Sequence, residues 1–152
     1  MVDSFYKDSI VELEAAITEI STRLNIIRKY KKIHNDRDSI EYIKTRIKSE
    51  ESMIEKLKRK NIEVNLKNAL TKIYDAAGIR IICAYVDDVY SIIEMLKKYK
   101  DLTIIKEKDY IKEPKPNGYR SYHIVFSVPI NVIGETHNVY IEIQIRLYSG
   151  LE

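Results

Sequence analysis

This chain of 152 residues has one cysteine, no tryptophan and no long apolar run. With Cys83 alone, a disulfide framework is excluded, and its place inside an apolar strand-like run reads as a small core residue rather than a nucleophile. No Cys/His cluster has the spacing of a zinc site. No stretch approaches the roughly 20 apolar residues that cross a bilayer, and the opening Met-Val-Asp-Ser is not a secretory leader. A soluble cytoplasmic protein is therefore the expectation, with no membrane partner. Charge of one sign is also scarce: a net +3 does not announce a nucleic-acid binder, although the cations are unevenly spread.

What is present suffices for one core. The hydrophobic content is 45%, and the length argues for a single domain. We divide it into a helical part over about 1–38 and a core over about 40–147. Ile10, Leu13, Ile17, Ile20, Leu24 and Ile27 follow helical spacing over 4–31, a stripe that packs on the core or meets another subunit. The basic run Arg28 to Lys32 reads as the cationic end of that helix, and Asn35 and Asp36 break the pattern.

Residues 40–48 are β-branched enough to read as a short strand, with a continued helix as the alternative. Ser49 offers an N-cap, and Ser52 with Glu55 a second capping box, for a helix over about 50–60. Arg46 and Lys48 then share one strand face, while Ser52, Lys56 and Arg59 recur at helical spacing, with Lys58 and Lys60 left as ordinary surface. Such a wall is either a solvated face or a seat for a polyanion. A short helix over 64–74 leads to Asp75, which precedes a buried strand; Gly78 permits close backbone approach, and Arg80 falls on the strand's polar face. Asp75 and Arg80 are a structural ion pair or part of a site. Asp87 and Asp88 cap a helix over about 88–99, and a strand over 102–109 completes a crossover unit.

Two strands follow, at about 120–129 and 138–147, joined by a loop from Asn131 to Thr136 around Gly134. The segment ahead of them, Glu113-Pro-Lys-Pro-Asn-Gly-Tyr-Arg-Ser-Tyr-His123, is a stiff turn that presents Lys115, Tyr119 and His123 at one mouth. In the last strand Val139, Ile141, Ile143 and Ile145 point inward and Tyr140, Glu142, Gln144 and Arg146 outward. That polar row is a solvated face or a site, and paired strands would set His123 and Glu142 on one side. The fold class is α+β, a mixed sheet of about five strands flanked by helices.

Four segments, in order over 46–146, resemble the RelA/SpoT-type alarmone synthetases: Arg46-x-Lys48-Ser49 with the cationic helix, Asp75-x-x-Gly-Ile-Arg-Ile81, Lys106 through His123, and Glu142-x-Gln-x-Arg146. The resemblance implies a nucleotidyltransferase-like synthetase core that moves the β,γ-pyrophosphoryl group of ATP to the 3′-oxygen of GDP or GTP. It implies that Arg46 and Arg80 sandwich adenine, that Lys48, Ser52, Lys56 and Arg59 hold the ATP phosphates, and that Asp75 ligates Mg²⁺. Tyr119 would stack on guanine, with Lys108, Lys115 and His123 near the acceptor's phosphates. Glu142 would act at the 3′-hydroxyl and touch the metal, supported by Gln144.

Two departures stand out. Position 106 is Lys where many members with the basic form of this segment have Arg, which bears on acceptor choice. After Arg146 the chain runs Leu-Tyr-Ser-Gly-Leu-Glu152 in place of a Thr and an aromatic-rich helical segment. We therefore expect a synthetase-only member without its C-terminal helices, its final Leu-Glu resembling an appended tail, and a homo-oligomer weakened by that shortening. Alternatives of other kinds are a toxin that pyrophosphorylates the tRNA 3′ end and an inactive nucleotide-binding regulatory domain.

Overall fold

A computed structural model describes residues 5–35 and 37–148. The expectations for Asp36, for the opening four residues and for the last four fall outside them. The order is α1 (Ser9–Asn35), β1 (Tyr42–Ile47), α2 (Glu50–Arg59), α3 (Leu66–Thr71), β2 (Ala77–Cys83), α4 (Val86–Lys97), β3 (Thr103–Asp109), β4 (Ser121–Val132) and β5 (Glu135–Leu147). No helix among the described residues is long and apolar enough to cross a membrane.

The strands form one sheet in the order β1-β2-β5-β4-β3. Only β2 and β5 pair in parallel; the other three pairings are antiparallel. The α4 crossover therefore carries the chain from β2 over two strands to the far edge. Period-2 alternation puts Ile79 and Ile81 of β2, Ile124 and Phe126 of β4, and Ile141, Ile143 and Ile145 of β5 in the core, where α1 and α4 pack. Leu13, Ala16, Ile20, Leu24 and Ile27 are the buried stripe of α1, so that stripe meets this chain's own sheet.

Local signals are used differently from some of the sequence expectations. Ser49 does cap α2, its Oγ accepting the Ser52 N–H at 3.2 Å, a contact worth about 1 kcal/mol. Ser52 therefore lies in the first turn and forms no second capping box. Helix α4 starts at Val86, with Tyr85 at the N-cap and no side-chain cap. Asp88 is instead buried, hydrogen-bonded by both terminal nitrogens of Arg37 at 2.6 and 3.0 Å, with Lys31 Nζ at 3.7 Å. Lys31 also donates to Ser91 Oγ at 2.7 Å, so one member of the basic run ties the end of α1 to α4, while Lys29 and Lys32 stay exposed. The β4–β5 turn is tighter than the expected loop: Val132 pairs with Glu135, and Ile133 and Gly134 take positive φ.

Candidate nucleotide site on the open sheet face

The sheet's second face carries exposed side chains at Arg46, Arg80, Lys106 and Lys108, and strand register lines them up with their neighbours. Directly paired residues of adjacent strands project to the same side. One row runs Arg46, Gly78, Glu142, Val125 and Lys106 across the five strands; the next runs Lys44, Arg80, Gln144, His123 and Lys108. Cations thus occupy both edges, and a carboxylate and an amide sit at the centre. Gly78 contributes emptiness rather than close approach: a Cβ there would lie 3.7 Å from the Glu142 carbonyl oxygen, an ordinary contact, so its absence leaves bare floor between Arg46 and Glu142.

Asp75 and Glu142 line the same cleft, of about 100 Å³, with Lys56, Lys60, Lys72, Tyr74, Lys106 and Val125. Asp75 is held from two sides, by Lys56 Nζ on Oδ1 at 3.0 Å and Lys48 Nζ on Oδ2 at 3.2 Å. Burial opposes its charge, but the Lys56 hydrogen bond and the two ammonium groups outweigh that and hold its carboxyl below the usual range. Gln144 Nε2 donates to Glu142 Oε1 at 2.9 Å, which fixes the second carboxylate. Among the described residues no three His, Cys, Asp or Glu are grouped to hold a metal. Two carboxylates in one cleft are still the hard-oxygen donors that Mg²⁺ uses when phosphate oxygens complete its shell.

At the other end of the face, Tyr119 Oη and His123 Nε2 are hydrogen-bonded at 3.1 Å. Asn117 Oδ1 accepts the Tyr119 N–H, and Gly118 takes φ +83°, which lets the turn close. Lys115 Nζ stands 5.3 Å from the Tyr119 ring centre and the Arg146 guanidinium 5.8 Å. Burial lowers the His123 pKa; Glu142 opposes this, while Lys115, Arg80 and Lys106 reinforce it. An imidazole titration followed by NMR is expected to give a midpoint below the ordinary value of about 6.5. A folded value below the unfolded one means that this stability term is intact above the unfolded value and falls as pH drops through the folded one. A midpoint above 7 would contradict this electrostatic picture.

The positions anticipated from sequence are thus spread over one face and its borders. Asp75, Lys48, Lys56, Glu142 and Gln144 come together, Arg46, Arg80 and Lys108 share the face, and Lys115, Tyr119 and His123 form the mouth. Ser52 is exposed on α2, and Arg59 pairs with Glu55 at 3.8 Å in solvent, outside the cleft lining. Lys60 lines the cleft although its sequence neighbourhood read as plain surface, and Lys72 joins it. Lys60 and Lys72 follow the last turns of α2 and α3, and no local pattern marks which way a C-terminal lysine will reach.

A carboxylate pair set in a cationic, half-open sheet face defines a protein that handles phosphorylated nucleotides. The chain belongs to the RelA/SpoT family, whose profile, described as the region found in RelA / SpoT proteins, matches residues 45–149. It is 42% identical over 142 residues to the GTP pyrophosphokinase YwaC of Bacillus subtilis (strain 168), spanning 93% of this chain and 67% of that protein. It is 36% identical over 146 residues to the GTP pyrophosphokinase YjbM of the same strain, spanning 96% and 68%. Among solved structures, small alarmone synthetase 1 from Bacillus subtilis bound to its product pppGpp matches with a TM-score of 0.83 at 37% identity, covering 93% of this chain and 72% of that one. A GTP pyrophosphokinase family protein from Streptococcus pneumoniae matches with a TM-score of 0.85 at 33% identity, covering 96% and 71%.

Proposed function

We propose that this chain is an alarmone synthetase, transferring the β,γ-pyrophosphoryl group of ATP to the 3′-oxygen of GDP or GTP to make ppGpp or pppGpp and release AMP. The observation that carries the reading is the shared cleft of Asp75 and Glu142 beneath a cationic rim. Two polyanions repel each other, and fixed cations remove much of that barrier without reorganising during the reaction. Arg46 and Arg80, one row apart on β1 and β2, present planar guanidinium groups to adenine. Lys48 and Lys56 hold the phosphates together with Ser52 and Arg59 of α2, and Lys60, Lys72 and Lys106 extend that cationic lining.

At the acceptor end, the Tyr119 ring takes guanine, and Lys108, Lys115 and a neutral His123 meet the acceptor's phosphates. Glu142 accepts the proton of the 3′-hydroxyl as its oxygen attacks the β-phosphorus, and the bond from that phosphorus to the α-phosphate oxygen breaks with AMP as leaving group. Gln144 keeps Glu142 aimed. Asp75 and Glu142 would hold a Mg²⁺ ion, which would supply charge neutralisation at the phosphate oxygens. Both substrates are cytoplasmic nucleotides, and we place the protein there.

ATP labelled in its γ-phosphate, incubated in turn with GMP, GDP, GTP and tRNA, is expected to yield labelled ppGpp and pppGpp with equimolar AMP. Label on tRNA, or no transfer to any acceptor, would replace this reading with one of its alternatives.

A further inference from the structure

The reverse side of β3 carries contacts that the reaction described above leaves unused. Alternation puts Lys106 and Lys108 on the open face and Glu107 and Asp109 on the side of α4. Glu107 accepts from the Tyr122 hydroxyl and pairs with Lys97 Nζ of α4 at 2.6 Å. Asp109 Oδ2 accepts from the Tyr90 hydroxyl of α4 at 2.8 Å. Its Oδ1 accepts from the backbone N–H groups of Ile111 at 3.0 Å and Lys112 at 2.9 Å. One carboxylate, anchored to a helix, therefore closes the turn by which the chain leaves β3.

That turn delivers Tyr110. Its N–H donates to the Ser121 carbonyl at 2.8 Å, and its ring stands edge-on to His123, 5.4 Å between centres. The Tyr119 ring is 6.3 Å away, and Lys115 Nζ lies 4.7 Å from the centre of the Tyr110 ring. Residues 112–118 are all exposed, so no apolar packing holds the loop, and its position depends on the bonds at its base.

We propose that Tyr90, through Asp109, is a positioning residue for the guanine-nucleotide pocket, setting the turn that holds Tyr110 against His123 and Tyr119. The inference rests on the reading of Tyr119 as the platform for the acceptor base. A hydrogen bond to a carboxylate is strong enough for the task and stays formed over the working pH range. Burial and the bond to Asp109 push the Tyr90 hydroxyl up to about 12. Burial opposes the Asp109 charge, but its backbone and Tyr90 hydrogen bonds outweigh that and keep the carboxyl below the usual range. The link joins the covered side of the sheet to the open one: α4 grips Glu107 and Asp109, and Lys106 and Lys108 present their cations on the other side.

Tyr90→Phe removes the hydroxyl and keeps the ring that packs on Tyr122. Steady-state rates with GDP and ATP varied separately are expected to show KM for GDP raised about tenfold, with kcat and KM for ATP within about twofold. The His123 titration midpoint is expected to move back toward its ordinary value as Tyr110 loosens. Tyr119→Ala is measured alongside. If Tyr119→Ala raises KM for GDP and Tyr90→Phe does not, the positioning role is overturned and the acceptor-site reading stands. If Tyr119→Ala leaves KM for GDP unmoved, both fall together. If Tyr90→Phe raises both KM values alike and lowers the melting temperature, Tyr90 is a general packing residue and the positioning role is overturned.

Discussion

Glu142→Gln is expected to lower turnover by about 10² to 10⁴ while leaving the fold and nucleotide binding close to unchanged. The substitution is nearly isosteric, and the oxygen of the introduced amide can still accept from Gln144 Nε2, which now reaches Glu142 Oε1 at 2.9 Å. The side chain therefore stays in place, and what disappears is its negative charge and with it the capacity to take a proton, its proposed role. The loss belongs in kcat, because the interaction is made as the 3′-oxygen becomes a nucleophile rather than when the substrates bind. Single-turnover rates at saturating ATP and GDP, with a urea unfolding curve as control, measure both halves of this expectation. A variant that makes alarmone at close to the unsubstituted rate would remove Glu142 from the chemistry.

Asp75→Asn is expected to damage stability as well as turnover, and the difference between the two carboxylates is itself diagnostic. The Asp75 side chain is 13% exposed, between Lys48 at 11% and Lys56 at 22%. Neutralising it leaves two neighbouring ammonium groups facing a neutral amide in a poorly hydrated place. Removing one partner of a buried ion pair costs about 3 kcal/mol at the lower end of the usual range, and partial solvation of Lys56 argues for that end. Turnover is expected to fall at least 10²-fold, since in the proposed mechanism the same carboxylate would hold the metal at the phosphates. Stability should depend on pH with a definite sign. The folded Asp75 value lies below the unfolded one, so its contribution is complete above the unfolded value of about 3.9 and fades as pH falls through the folded value. The variant's unfolding curve should converge on that of the parent as the solution is acidified. Equal stability of the two proteins at pH 7 would mean that the Lys48–Asp75–Lys56 cluster adds nothing net.

The strands were the most legible part of the chain. Strand β5 is written as uninterrupted alternation, and its register with β4 follows because a one-residue slip would turn Ile141, Ile143 and Ile145 out to water. Once β4 and β5 pair, alternation sets His123 and Glu142 on one face. The cap of α2 was legible too, since Ser49 and its partner N–H lie three residues apart. Asp87 and Asp88 misled for the same reason inverted: a carboxylate ahead of a helix usually serves that helix, but Asp88 serves Arg37 and Lys31, more than fifty residues earlier. Lys60 and Lys72 were invisible as site residues because each belongs to a helix end whose direction is chosen by packing. Tyr90 was equally silent, because its partner Asp109 lies across a crossover.

By itself, then, the order of residues determined most of the elements, the covered and open sides of β2, β4 and β5, and the kinship of four short segments with the RelA/SpoT family. These depend on periodicity and on contacts a few residues apart, which chain geometry imposes wherever the segment is placed. Only the tertiary structure decided that β2 lies beside β5, so that the floor residue Gly78 pairs with Glu142, and that Lys48 and Lys56 close on Asp75 from two elements. Electrostatic and hydrogen-bonded partnerships act over a few ångströms of space, and separation along the chain does not reveal that distance until the core has packed.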